Sequence, residues 1–465
     1  MKMKKWIAVC MAGIMSAAVL MGCGSKEADT EKAGQETNQD LDQKAGQETD
    51  SGSQSAASAA DGEWEYKEAT LTMLIATDAP MAGLQEVCNL AKEKLGITVE
   101  METRPGGAEG DNIVKTRLAS GDMADICVYN SGSLLFALNP SEYFIDISGE
   151  EWQDRLDDTY RGSVQVGDAV YGVPMSSTQA GCVLYYKPLY EKLGLEIPHT
   201  WDDFLANCDK IKEAGYTALL GTFADSWTSQ ILFLGDNYNV LAKEPNFAKE
   251  FEAGKAKYAT TPAALESWNK LAQTTPYYNE DYLAATHEDG FEQMISGNVG
   301  HWVILTQALS NIYELYGDEV NNIGAFGVPG DDPDDHGLTA WMPINNLYGN
   351  KNTGKEEDIK RFMEFYISDE ALDAYTSKAL PDGPYCIKGY EMPDTAYAAV
   401  KDMEAYFESG KTQVAMEFLT SVKGANCPAL CQECGSGQTT GEEAAKAYDQ
   451  DCYKQAVQLG LDWEN

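Results

Sequence analysis

The sequence predicts an α/β protein built in two units, each a mostly parallel sheet flanked by helices. Three observations carry this. Apolar strands and amphipathic helices alternate from Trp64 onward, a repetition that favours a parallel sheet covered on both faces. A second set of strands and a strongly marked helix begins near Ala169. With 465 residues, 43% of them hydrophobic, the chain can bury a large core and, on length alone, form two or three domains.

Ahead of those units, residues 1–22 read as an export signal. Lys2, Lys4 and Lys5 form a positive start, and the uncharged stretch Trp6–Gly22 is shorter than the roughly 20 apolar residues of a membrane span. Leu20-Met21-Gly22-Cys23 resembles a bacterial lipobox, in which Cys23 is lipidated and becomes the new N-terminus. The alternative is an ordinary signal with an incidental Cys. Residues 24–63 hold one large aliphatic, Leu41, no aromatic and no Pro, and repeat KAGQET at Lys32–Thr37 and Lys44–Thr49. Such a segment cannot offset its ordering entropy by burial, and as a flexible tether it reaches about 35 Å.

Within the first unit, Leu71–Ala76 reads as a strand. Met81–Leu95 places Leu84, Val87, Cys88, Leu90 and Ala91 at helical spacing. Ile97–Met101 alternates as a strand, Ile113–Ala119 reads as a helix, and Asp125–Tyr129 as a buried strand. Ligands of such sheets sit at the carboxyl ends of strands, here Thr77–Asp78 and Asn130–Ser133. In the second unit, Ala169–Pro174 and Gly181–Lys187 read as strands. Thr200 can cap a helix whose Trp201, Phe204, Leu205, Cys208 and Ile211 form one apolar face, ending near Gly215.

Charge narrows the partners. With 74 acids against 34 basic residues the formal charge is −40. Loss of the signal removes three Lys and no acid, which makes it −43. Nucleic acid and anionic lipid would both be repelled.

Several stretches together resemble the extracellular solute-binding proteins of family 1, which serve ABC sugar importers and include maltose-binding protein. Tyr171-Gly172-Val173-Pro174, Tyr185-Tyr186-Lys187 and Pro198-His199-Thr200-Trp201-Asp202-Asp203 stand where that family has its YG-P strand, its YYNK strand and its G-P-TW-E helix start. Leu118–Asp125, Phe291–Trp302, Lys355–Leu372 and Ser436–Tyr453 resemble further family segments. Departures are Pro188 directly after Lys187, and Ser296-Gly297-Asn298 where Lys is commoner. The resemblance spans residues 66–463. It implies a two-lobed fold of the periplasmic-binding-protein type II, with three crossovers at a hinge and a ligand cleft between the lobes. The first lobe is expected at about 64–176 plus 336–385, the second at about 177–335 plus 386–465. It also implies a monomeric receptor, not an enzyme, lipid-anchored on the outer face of a Gram-positive-type cytoplasmic membrane, which hands a mono- or oligosaccharide to the transmembrane subunits of an ABC permease. No cofactor and no metal are expected.

A neutral sugar asks for flat aromatic faces and for polar groups that pair its hydroxyls. Of nine Trp, Trp6 is lost with the signal. Trp64, Trp152 and Trp463 sit near surface or terminal positions, and Trp201 and Trp268 fall on core faces. Trp227 in a polar loop, Trp302 where the family stacks a sugar, and Trp341 opening a strand at the third crossover remain as platforms. Asp78, Tyr129, Asn130, Ser131, Gln179 and Asp225 are the candidate polar partners, with Tyr385 on a late loop.

Other motifs carry less. Gly349–Lys355 resembles a phosphate loop but has Glu356 where Ser or Thr is required. The Asp331–Gly337 stretch lacks the final acid of a calcium loop. The four His include no HExxH, and no GxSxG occurs. Removing Cys10 and lipidating Cys23 leaves nine Cys. Cys88, Cys127, Cys182 and Cys208 read as buried small hydrophobes, whereas Cys427, Cys431 and Cys434 share a helix face with Cys452 nearby, leaving a disulfide, a soft metal or free thiols open. Two further functions stand beside the sugar receptor: the same fold binding a polyamine, peptide or phosphorylated polyol, and a secreted glycoside hydrolase.

Overall fold

The computed structural model describes residues 64–463 apart from Asp78. The signal, Cys23 and the tether therefore lie outside the described residues, as does Asp78. Thirteen strands occur among them: β1 (Ala69–Ala76), β2 (Ile97–Arg104), β3 (Ile126–Tyr129), β4 (Gln165–Val166), β5 (Ala169–Val170), β6 (Gly172–Pro174), β7 (Gln179–Tyr186), β8 (Thr217–Leu220), β9 (Val299–Leu305), β10 (Ile323–Phe326), β11 (Leu338–Trp341), β12 (Asn346–Gly349) and β13 (Thr412–Val414). They form two main sheets, β2-β1-β3-β12-β6 and β13-β11-β7-β9-β8, with β10 also on β7; β4 and β5 make a small hairpin.

Local signals build the first sheet. β1 and β2 pair in parallel over their full length, from Ala69 opposite Ile97 to Ala76 opposite Arg104. The helix Met81–Leu95 between them buries Leu84, Val87, Cys88, Ala91 and Leu95, the face its spacing predicts. β3 joins β1 in parallel. In the second sheet, β7 and β9 are buried along nearly their whole length because helices cover both faces. Thr200 caps the helix Trp201–Glu213 by accepting from Asp203 N at 3.2 Å.

Strand direction departs from the sequence reading. The first sheet has two parallel and two antiparallel pairings. In the second, β7 runs antiparallel to β9, β10 and β11, with only β8–β9 and β11–β13 parallel. Both sheets are therefore mixed. The reason is connectivity: β7 and β12 enter each sheet from the other one, so they run against the strands built by local strand–helix–strand units.

Connectivity also moves the lobe limits. β11 lies in the second sheet, so the chain recrosses within residues 342–345, later than the expected position near 336. Residues 386–388 still pair with the first lobe, through an Ile387–Leu156 bridge, an Asp157 N to Cys386 O bond of 2.9 Å and a Lys388–Asp158 ion pair of 2.8 Å. The third crossing follows in residues 391–397, ahead of the helix Ala398–Glu408 that packs on β10.

A buried ionic network ties the second lobe together. Lys270 Nζ lies 2.6 Å from Asp236 Oδ1, with side chains 2% and 1% exposed. Lys270 also donates to Pro329 O at 2.7 Å and stands 5.3 Å from the Trp201 ring centre. Asp236 accepts from Asn239 Nδ2 at 2.7 Å and from Ser267 Oγ at 2.8 Å. Every charge in the network is thus desolvated but paired. All nine cysteines among the described residues are free and buried, including Cys427, Cys431, Cys434 and Cys452. Lys270→Ala leaves Asp236 buried without its cation and should cost about 3–5 kcal/mol, read as a lowered urea midpoint with an unchanged slope.

Candidate functional site

The two sheets present their strand ends to one another. In the first sheet β1, β2 and β3 all finish on one side, at Ala76, Arg104 and Tyr129. β12 begins on that same side with Asn346 opposite Tyr129, and β6 ends there with Pro174 opposite Asn346. In the second sheet, β8 ends at Leu220, β9 at Leu305 opposite Gly181, β11 at Trp341 opposite Gln179, and β13 at Val414. Two crossings join these edges directly, residues 175–178 and 342–345. Spans of that length reach at most about 18 Å, so the edges face each other as a crevice, where ligands of open α/β sheets bind.

One point of contact across the crevice is very close. Gly132, in the turn after β3, has φ of +66°. A Cβ there would lie 2.5 Å from Glu417 O and 2.8 Å from a ring carbon of Phe418. Only glycine fits both the left-handed backbone and the approach of the Met416–Phe418 turn.

The structure distributes the sequence candidates unevenly. Tyr129, Asn130 and Ser131 follow β3 on the first edge. Ser131 Oγ is spent on Pro343 O at 3.0 Å, and Asn130 O accepts from Tyr348 Oη at 2.9 Å. Gln179 starts β7 on the second edge, buried. Asp225 follows β8 on that edge and accepts from His287 N at 2.7 Å, which fixes the loop. Trp227, in the short 3-10 helix Ser226–Gln230, stays half-buried, its ring 4.8 Å from that of His287.

Trp302 and Trp341 behave differently. Trp302 lies inside β9, 1% exposed, covered by His287 and Phe291 at ring separations of 5.5 and 6.2 Å. Trp341 closes β11 where the sequence reading had it opening a strand. It is 3% exposed and meets Phe418 edge-on at 5.8 Å. Both are core in this arrangement. Tyr385 joins the packing of the first lobe, its hydroxyl 2.5 Å from Thr376 Oγ1 and its ring 5.0 Å from Tyr390.

Sequence reasoning missed several residues that the edges bring in. Eleven buried side-chain N or O atoms have no hydrogen-bond partner among the described residues. Six lie on or against the crevice edges: Arg104 Nε, Ser176 Oγ, Gln179 Oε1, Thr222 Oγ1, Gln230 Oε1 and His287 Nε2. The Tyr129 hydroxyl stands beside the Asp111 carboxyl. Buried polar atoms are normally paired, so their concentration here marks a surface made to meet a polar solute. Thr222 and Gln230 had a local signal, since they follow an apolar strand. Phe418 and His287 had none, because distant pairing brings them in.

The electrostatics of the edges favour a neutral partner. Burial lowers His287 to about 4, so its ring is uncharged at neutral pH. Glu417 is paired with Lys423, and Asp225 with the His287 backbone. The set contains donors, acceptors and hydroxyls that serve as either.

Comparison with known proteins agrees with this architecture. A family model described as bacterial extracellular solute-binding protein matches residues 76–373. A multiple sugar-binding protein of Streptococcus mutans is 31% identical over 316 residues, 64% of this chain and 70% of that protein. The solved structure of SBP RafE in complex with raffinose superposes with a TM-score of 0.68 at 20% identity, covering 83% of this chain and 99% of that one. A sugar transporter of Bacillus licheniformis in complex with stachyose gives 0.65 at 18% identity, covering 83% and 100%. At these identities the structures show the fold.

The burial difference among the tryptophans is measurable. Trp302→Ala should cost about 3–5 kcal/mol of unfolding free energy, whereas Trp227→Ala should cost about 1 kcal/mol. Urea unfolding followed by circular dichroism compares the two.

Proposed function

The chain belongs to the bacterial extracellular solute-binding proteins, and from that premise we propose that it is the sugar-capturing subunit of an ABC importer. A mono- or oligosaccharide enters the crevice, the lobes rotate about the three crossings, and the closed form is delivered to the permease. The observation that carries the reading is the set of unpartnered polar atoms on the two facing edges. A sugar hydroxyl donates one hydrogen bond and accepts others, so it can pair both donors and acceptors on the edges. Each buried group left unpaired costs about 1–3 kcal/mol, and pairing it with the solute returns that energy as affinity.

Trp227 is the platform we assign to the sugar's C–H face, because Trp302 and Trp341 are covered by protein. The sugar-binding names and ligands of the relatives support the same class of cargo. A polyamine would need free carboxylates beside the aromatic ring, and Asp225 and Glu417 are engaged. The reading is of a receptor without catalysis, held outside the cell by the lipid on Cys23 and the tether that follows. No helix among the described residues is long and apolar enough to cross a membrane.

A thermal-shift panel of neutral mono- and oligosaccharides, polyamines and short peptides tests this. At least one neutral sugar should raise the melting temperature, and Trp227→Ala should weaken that sugar at least tenfold by calorimetry. A shift by polyamines alone, or release of monosaccharide from a bound glycoside, overturns the proposal.

A further inference from the structure

A half-buried carboxyl sits at the joint between the lobes. Asp382 follows the first-lobe helix Asp369–Thr376 and precedes Cys386, which is itself bonded to the first lobe. Its carboxyl accepts from the Ser310 hydroxyl. Ser310 belongs to the second lobe, as the third residue of the helix Ala308–Tyr316. That helix has no cap of its own, since Gln307 at its N-cap makes no side-chain cap bond. The first turn of that helix is instead tied to the other lobe through the Ser310 hydroxyl.

The backbone leaves this contact little freedom. Asp382 N donates to Ser177 Oγ at 3.0 Å, and Thr178 N donates to Pro384 O at 2.7 Å. A Cβ on Gly383 would lie 2.4 Å from Thr178 O, so the segment is threaded against the first crossing. The contact thus joins a first-lobe loop, a crossing and a second-lobe helix.

We propose that Asp382 and Ser310 form a proton-dependent latch between the lobes, firm when the Asp382 carboxyl is protonated and looser once it ionises. The proposal rests on the hinge motion inferred above. The groups that face Asp382 are Tyr375 from the preceding helix, Tyr385 from its own segment, Tyr397 ahead of the helix Ala398–Glu408, and the hydroxyls of Ser310 and Ser177. None is a cation, so an ionised Asp382 is a half-buried charge with no cation beside it.

Desolvation raises the carboxyl from the ordinary 3.8 to about 7, against the opposing pull of Ser310. When the lobes part, water reaches the carboxyl and the ordinary value returns. A group raised in the latched state stabilises it fully below the ordinary value and loses that contribution as pH climbs to the raised one. The closing equilibrium should therefore fall between pH 5 and pH 7, by roughly tenfold to a hundredfold, and level off above.

Small-angle X-ray scattering of the sugar-free protein from pH 5 to pH 8.5 tests the latch without reference to any ligand. The wild type should expand as pH rises to neutrality and then hold constant. Asp382→Asn, which keeps the shape and removes the proton, should show no change with pH. Ser310→Ala, which keeps the carboxyl and removes its hydroxyl donor, should move the midpoint upward. Melting curves at each pH show that the variants are folded. Dimensions of the wild type that do not vary with pH, or a pH response retained in Asp382→Asn, overturn the proposal. A sugar-binding failure leaves this outcome unaffected.

Discussion

The binding architecture depends on two short segments, residues 175–178 and 342–345, that carry the chain from one sheet to the other. Segments so short cannot separate the sheet edges by more than about 18 Å. They force the end of β6 and the start of β12 in one sheet against the start of β7 and the end of β11 in the other. Once those edges face each other, every strand end on them becomes crevice wall. The same constraint reverses β7 and β12 relative to their neighbours, which is why both sheets are mixed. It also confines the freedom of the lobes to rotation about a narrow joint, and the contacts lining that joint, Asp382 with Ser310 among them, then govern the rotation.

Behind the edges the ionic network is closed, and on the edges more polar atoms are left open. In the second lobe Lys270, Asp236, Asn239 and Ser267 are paired with one another, and the Phe233 and Trp268 rings pack at 4.2 Å. On the crevice side, Gln179, Gln230, Thr222 and His287 keep buried atoms without partners. Each costs about 1–3 kcal/mol, a strain that a large, well-paired core can carry. Stability and solute affinity therefore draw on the same groups in opposite directions, as expected of a binding site.

Aromatic cover sorts the tryptophans by the same logic. Phe418 lies on Trp341 and His287 on Trp302, each brought there from a distant part of the chain. The large negative charge stays outside this chemistry. Surface acids solvate the protein, while Asp225 and Glu417 on the edges are bound to groups of the protein itself.

Residues whose structure depends on near neighbours were legible in the sequence. The helix Met81–Leu95 and its buried face, the cap at Thr200, the strands β1 and β3, and the strand-end position of Tyr129, Asn130 and Ser131 all follow from spacing within about 15 residues. The family resemblance extended this to a two-lobed α/β fold. Tertiary structure alone decided the direction of β7 and β12, the placement of β11 in the second sheet, the covering of Trp302 and Trp341, and the arrival of His287 and Phe418 at the crevice. These outcomes depend on pairings between residues tens to hundreds of positions apart. Local periodicity carries no record of which partner arrives, because a Trp beside a strand end looks the same whether a sugar or a phenylalanine lies upon it.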